Sequence, residues 1–177
     1  MHPIRLWTVQ SIDATARLRS VGRLTPRWPE ARGWNEAARW MAEQMRVRRI
    51  RGEPVPPLWA WHSCGARGRP PDDDVLEGLT SEVERENGFE LIEVVVPRRL
   101  VLLSFYGPWN RLLDGFLDAP ATFRPEADDR RELFNISRLP RCPWRNRSRW
   151  DVQATLPYLD APWVRSSRPW PVRTARA

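Results

Sequence analysis

Lysine is absent from this 177-residue chain, and all 29 basic side chains are arginine. Against 22 acidic side chains they leave a formal charge of +7. Cysteine and histidine are scarce: Cys64, Cys142, His2 and His62, with no CxxC and no His/Cys ligand spacing, so no metal centre is expected. Two distant cysteines fit a reduced, cytoplasmic setting better than a disulfide framework. No apolar run approaches the roughly 20 residues of a membrane-spanning helix. Arg5 interrupts the N-terminus where a secretory signal needs apolar residues, so no signal peptide or membrane contact is expected. Gly65-x-x-Gly68 lacks the following Lys of a Walker loop, and no Rossmann glycine fingerprint occurs.

What is present is tryptophan (11) and proline (18) in a chain that is 41% hydrophobic, a length and composition suited to one domain with a true core. Leu6 to Gln10 reads as a short strand. Ser11 then caps a helix bearing Ala14, Leu18 and Val21 on one face and stopping at Gly22. A second helix runs from Pro29 or Gly33 to Val47, with Trp34, Ala37, Ala38, Met41 and Met45 at helical spacing as core candidates. Pro54, Pro56 and Pro57 force an extended lead into Leu58–His62, an edge or short strand with Trp59 and Trp61 on one side and Leu58, Ala60 and His62 on the other. Val75, Leu76, Leu79 and Val83 mark a third helix ending before Gly88.

Phe89–Val96 is the clearest strand, and Pro97-Arg98-Arg99 predicts a turn that returns Leu100–Phe105 as its antiparallel hairpin partner. Trp109, Leu112, Leu113 and Phe116 mark a helix after Pro108, and 126–136 another. Trp150–Leu156 is a late strand. A short strand near Trp163-Val164 precedes a tail, 166–177, that is expected to fray. The expected architecture is a single α+β domain with its core over about 5–165: a small mixed or antiparallel sheet with helices packed on it and a Trp-rich core.

Several ordered segments resemble a bacterial family catalogued as domain of unknown function 3841. They are Leu6-Trp7-Thr8-Val9-Gln10, Trp34 with Trp40-Met41 and Met45–Arg48, Pro57-Leu58-Trp59-Ala60-Trp61 and Arg69-Pro70, followed by Val101–Phe105, Trp109-Asn110-x-Leu112-Leu113 and Val152-Gln153-Ala154-Thr155. The resemblance runs from Leu6 to about Val164 and implies a bacterial, cytoplasmic protein, with no activity attached. Where that family carries acidic residues after Ser104-Phe105, this chain has Tyr106-Gly107. The order of strand, helix and Gly22-Arg23-Leu24 turn is also similar to the opening of ADP-ribosyltransferase folds. That likeness implies an NAD pocket in which Thr8 and Gln10 line the cleft, Trp59, Trp61 and His62 supply an aromatic wall, and Gln153 takes the late-strand position. Those enzymes hold a glutamate there. An amide can hydrogen-bond but lacks the charge that stabilises a growing cation.

Two other readings stand beside the NAD pocket. Arg138, Arg141, Arg145, Arg147 and Arg149 interleave with Trp144 and Trp150, a composition able to pair phosphates and stack bases of a nucleic acid, or else to form a basic loop anchored on the core. Arg46, Arg48, Arg49 and Arg51 form a second dense stretch, and arginine over lysine throughout reads either as phosphate recognition or as codon bias in a GC-rich genome. Trp and Arg are also enriched at protein interfaces, which fits an interaction or regulatory component. His62 and Cys64 lie two apart and share a strand face, yet Gly65 ends the strand too soon for a good thiol–imidazole pair. Glu90 and Glu93 face opposite sides, and Asp72-Asp73-Asp74 reads as a helix-start cluster.

Overall fold

The computed structural model describes residues 2–50, 52–73, 75, 86–138 and 151–170. β1 (Ile4–Ser11) runs into α1 (Ile12–Val21), where the Ser11 hydroxyl accepts from the Ala14 N–H and Gly22, at φ 83°, ends the helix by donating to the Leu18 carbonyl. Only a residue free of a Cβ takes that left-handed turn without cost, so the stop expected at Gly22 is a backbone requirement. β2 (Arg23–Leu24) follows, then α2 (Arg32–Val47), β3 (Leu58–Ser63) and β4 (Phe89–Val96). β5 (Leu102–Phe105), α3 (Tyr106–Asp118) and α4 (Ala127–Phe134) come next, and the described chain closes with β6 (Val152–Leu156), β7 (Leu159–Asp160) and β8 (Val164–Pro169). The third helix expected from Val75 onward falls largely outside the described residues, although Asp73, Val75, Glu86 and Asn87 are helical. No helix among the described residues is long and apolar enough to cross a membrane.

The fold is α+β. Six strands form one sheet in the order β5-β6-β3-β1-β4-β8, every ladder antiparallel, and β2 pairs β7 in a separate ribbon. β1 lies against β4 from Ile4↔Val96 to Ser11↔Phe89, and its other side meets β3 at Trp7↔Trp61. Because partners in register share a face, the pleat sorts the side chains. Leu6, Leu58, Ala60, Ile92, Val94, Val96, Ala154 and Leu156 look toward α1 and the β2–β7 ribbon, packing with Leu18, Leu24 and Leu159. The opposite face carries Trp7, Trp59, Trp61, Leu91 and Leu102. Part of it is covered by α2, α3 and α4 through Met41, Met45, Trp109, Phe116 and Leu133. Met41 and Met45 are fully buried, each contributing about 1.5–3 kcal/mol. Trp34 departs from the expected core stripe: it is 48% exposed.

Three sequence expectations are corrected. Leu58–His62 is no edge strand: β3 lies inside the sheet, apolar on both faces, between β6 and β1. Phe89–Val96 and Leu100–Phe105 do not form a hairpin either. Arg98–Leu100 is a 3-10 turn, Leu100 and Val101 sink into the core beside Leu6, and β5 emerges at the far edge beyond β1, β3 and β6. Leu102 stands level with Leu91, so on a flat sheet the crossing from Val96 would need about 25 Å, whereas six residue steps reach about 22 Å at most. The sheet is therefore curled. Lastly, 166–170 is no frayed tail: Ser166–Pro169 belong to β8, which pairs with the otherwise open edge of β4, and the Trp170 N–H donates to the Phe89 carbonyl.

Gly33 sets how closely α2 approaches α3, since a Cβ there would lie 2.9 Å from the Phe116 carbonyl oxygen and 3.0 Å from Leu117 Cα. Ala is the better helix former by up to about 1 kcal/mol, but overpacking against backbone costs about 1–3 kcal/mol. Gly33→Ala is expected to lower the denaturant midpoint, and an unchanged or higher midpoint would show that the helices are free to separate.

Candidate functional site

An open cleft of about 480 Å³ lies where β1 ends, α1 begins and the Pro57-Leu58-Trp59 entry to β3 passes the segment after β2. Gln10, Asp13, Arg17 and Arg27 are among its polar walls, with Leu24 and Trp59 among the apolar ones. Its size is that of ordinary small-molecule sites. Gln10 is oriented by a short relay. The Thr8 hydroxyl donates to the Trp59 carbonyl at 2.8 Å, which leaves its oxygen to accept from Gln10 Nε2 at 2.7 Å. A hydroxyl has one proton, so this chain fixes which end of the Gln10 amide faces Thr8. The Gln10 carbonyl oxygen has no hydrogen-bond partner among the described residues, and Arg17 and Arg27 form no ion pair there.

The sheet divides the six residues expected to share a pocket. Thr8, Gln10 and His62 belong to the α1 face, and Trp59, Trp61 and Gln153 to the opposite one. The two glutamines therefore do not meet. Nor do the tryptophans offer free rings: Trp61 is 6% exposed and packs 4.8 Å from Tyr106, and the Trp59 ring lies 4.8 Å from Trp109. Of the six, Gln10 and Trp59 reach the cleft, with Thr8 buried behind them.

Gln153 lies in one row with Trp7, Trp61 and Ser104 across four strands. Gln153 Nε2 and Ser104 Oγ are buried without a hydrogen-bond partner among the described residues. Leaving such a group unpaired costs about 1–3 kcal/mol. The Arg138–Trp150 segment proposed for nucleic acid, with Arg141, Trp144, Arg145, Arg147 and Arg149, lies almost wholly outside the described residues; Arg138 ends a 3-10 turn that starts at Ile136. Asp72 accepts from the Val75 N–H, as a helix-start residue does.

His62 and Cys64 do not make a nucleophilic pair. Burial, then Asp151 and Asp72, pushes the Cys64 thiol up to about 12, so it stays protonated and inert near neutrality. The Ser63 hydroxyl accepts from the Gly68 N–H and shares a 2.8 Å hydrogen bond with His62 Nδ1, so the imidazole is engaged by its neighbour Ser63. Sequence reasoning missed Asp13, Arg17, Arg27 and Ser104. The signal for the first two was present, since positions 13 and 17 are one helical turn apart just beyond Gln10.

No protein-family model, curated protein or solved structure matches the chain. The resemblances to known families rest on the quoted residues alone.

Desolvation, followed by the charges of Arg67 and Arg98, holds the His62 pKa below the ordinary imidazole value of about 6.5. The unfolded chain then binds the proton first, so His62 costs stability as pH falls through that value toward the folded pKa. Wild type is expected to lose more stability than His62→Gln between neutral pH and mildly acidic pH in urea titrations. Parallel losses would show that His62 titrates alike in both states.

Proposed function

We propose that the cleft at the end of β1 binds a phosphorylated nucleoside ligand of the NAD or ADP-ribose class. The observation that carries the reading is the fixed Gln10 amide in a cleft walled by two arginines; among the described residues neither the Gln10 carbonyl oxygen has a hydrogen-bond partner nor either arginine an ion pair. A pyrophosphate suits paired guanidinium groups, whose planar forks donate to adjacent phosphate oxygens. Gln10 offers an acceptor to a carboxamide or exocyclic amine, and the Asp13 carboxylate one to a ribose hydroxyl. The order of β1, α1 and the Gly22-Arg23-Leu24 turn, similar to ADP-ribosyltransferase folds, is a second support.

The reading is of binding, without group transfer. Gln153 carries no charge and lies on the other face of the sheet, so it contributes nothing to a cation growing on a sugar in this cleft.

Isothermal calorimetry with NAD and ADP-ribose is expected to show saturable binding. Replacing both Arg17 and Arg27 by Ala should weaken it about tenfold or more, the scale of one lost charge-assisted hydrogen bond. Gln10→Ala should weaken it less, and Gln153→Ala not at all. No heat at millimolar ligand, or equal affinity in the double arginine variant, would remove the reading.

A further inference from the structure

A second groove, of about 580 Å³, runs beside β5 at the opposite edge of the sheet from β8. Arg48, Arg98 and Arg99 line it over an apolar floor that includes Ile50, Leu103 and Phe134, and none of its lining residues is acidic. None of the three arginines forms an ion pair among the described residues. Arg46, from the same dense stretch, is neutralised by Glu43. The groove therefore concentrates positive charge that no acidic residue among its described lining compensates. Burial and the neighbouring Arg130 both disfavour the charged form of Arg48.

The platform is flat and held in place. Phe134 stacks on Trp40 at 6.2 Å with 16° between the rings, and the Arg48 guanidinium lies 4.0 Å over the Phe134 ring. Arg48 Nη1 also donates to the Gln44 carbonyl and to Gln44 Oε1. Arg98 donates to the Val101 carbonyl, whereas the exposed Arg99 has no hydrogen bond among the described residues. The end of α2 is built unusually. The Ile50 N–H bonds the Met45 carbonyl and the Arg49 N–H bonds Arg46, a turn whose central residue, Arg49, has φ 58°. Glycine fits that position without strain and an L residue costs roughly 1–2 kcal/mol, yet the chain keeps an arginine at the groove's margin.

We propose that this groove binds single-stranded nucleic acid, with Arg98 and Arg99 pairing backbone phosphates and a base stacking on the open side of the Arg48 guanidinium. An acidic peptide fits less well. α4 and the 3-10 turn after it pack on β5, so the edge is not free to add a strand, and a flat cationic stack recognises a base better than a carboxylate. Unpaired bases are required, because a duplex keeps its rings inside the helix.

The test is fluorescence anisotropy with a labelled single-stranded oligonucleotide of about 12 nucleotides, titrated across salt concentrations. With two phosphates neutralised, log affinity should fall with log salt at a slope of about −1.4. Arg99→Glu, at a side chain with no hydrogen bond or ion pair among the described residues, should lower affinity about tenfold and flatten the slope by about 0.7. Arg48→Met should lower affinity with little change in slope. Arg165→Glu with Arg168→Glu, on the far edge strand, removes more charge and is expected to act weakly. Binding that is absent or salt-independent would overturn the proposal. So would a far-edge variant as damaging as Arg99→Glu, affinity lost only on Arg145→Glu with Arg147→Glu, or inorganic polyphosphate of matched charge competing as well as the oligonucleotide.

Discussion

The pairing of β1 with β4 from Ile4↔Val96 to Ser11↔Phe89 is the constraint on which the rest of the molecule depends. It fixes the pleat of the sheet's interior, and Trp7↔Trp61 carries the same sorting into β3 and onward to Gln153 and Ser104. A slip of one residue would turn Leu6 and Thr8 toward the tryptophans and expose Trp7 to the α1 side. Such a slip is costly because Leu6, Ile92, Val94 and Val96 are all fully buried on one face. The same register launches α1 from Ser11, and so sets the cleft between Gln10 and the first turns of that helix.

Arginine serves three purposes in this lysine-free chain. Arg5, Arg23, Arg46, Arg111 and Arg131 make largely exposed ion pairs, which solvent screens so that they add little stability. Arg19 differs in that its partner Glu90 is nearly buried. Burial works to raise the Glu90 pKa, but hydrogen bonds from Ser167 and Arg19 and the charge of Arg19 win and hold it down, tying α1 to β4 and β8. Arg23, Arg39 and Arg48 lie over the rings of Tyr158, Trp28 and Phe134, a packing that a planar guanidinium makes better than an ammonium. The arginines of the β1 cleft and the β5 groove, Arg17, Arg27, Arg48, Arg98 and Arg99, have no carboxylate partner among the described residues, which is why both places read as anion sites.

Local signals in the sequence carried well. Ser11 and Gly22 bound α1, the Ala37–Met45 stripe marks α2, and the alternation of Leu58–His62 correctly parts Trp59 and Trp61 from Leu58 and Ala60. Strand partnership did not carry, because it is decided by residues far apart. Pro97-Arg98-Arg99 has the composition of a hairpin turn, and only the burial of Leu100 and Val101 shows that the chain is crossing the sheet. Ser166, Ser167 and Arg168 have no apolar alternation to announce a strand; the open edge of β4 recruits them. The candidate site was half legible. Gln10 and Trp59 both line the β1 cleft, but joining Gln153 to Gln10 required knowing that β6 turns Gln153 to the opposite face.

The central claim is that a ligand enters on the Gln10 side of the sheet and leaves the Gln153 side untouched. Two-dimensional NMR of the labelled protein during an NAD titration tests it most directly. The account predicts shifts at the Gln10 side-chain amide and the backbone amides of Thr25 and Arg27, with the Gln153 side-chain amide and the Trp61 indole N–H unmoved. Shifts at Gln153 and Trp61 with Gln10 unmoved would contradict it.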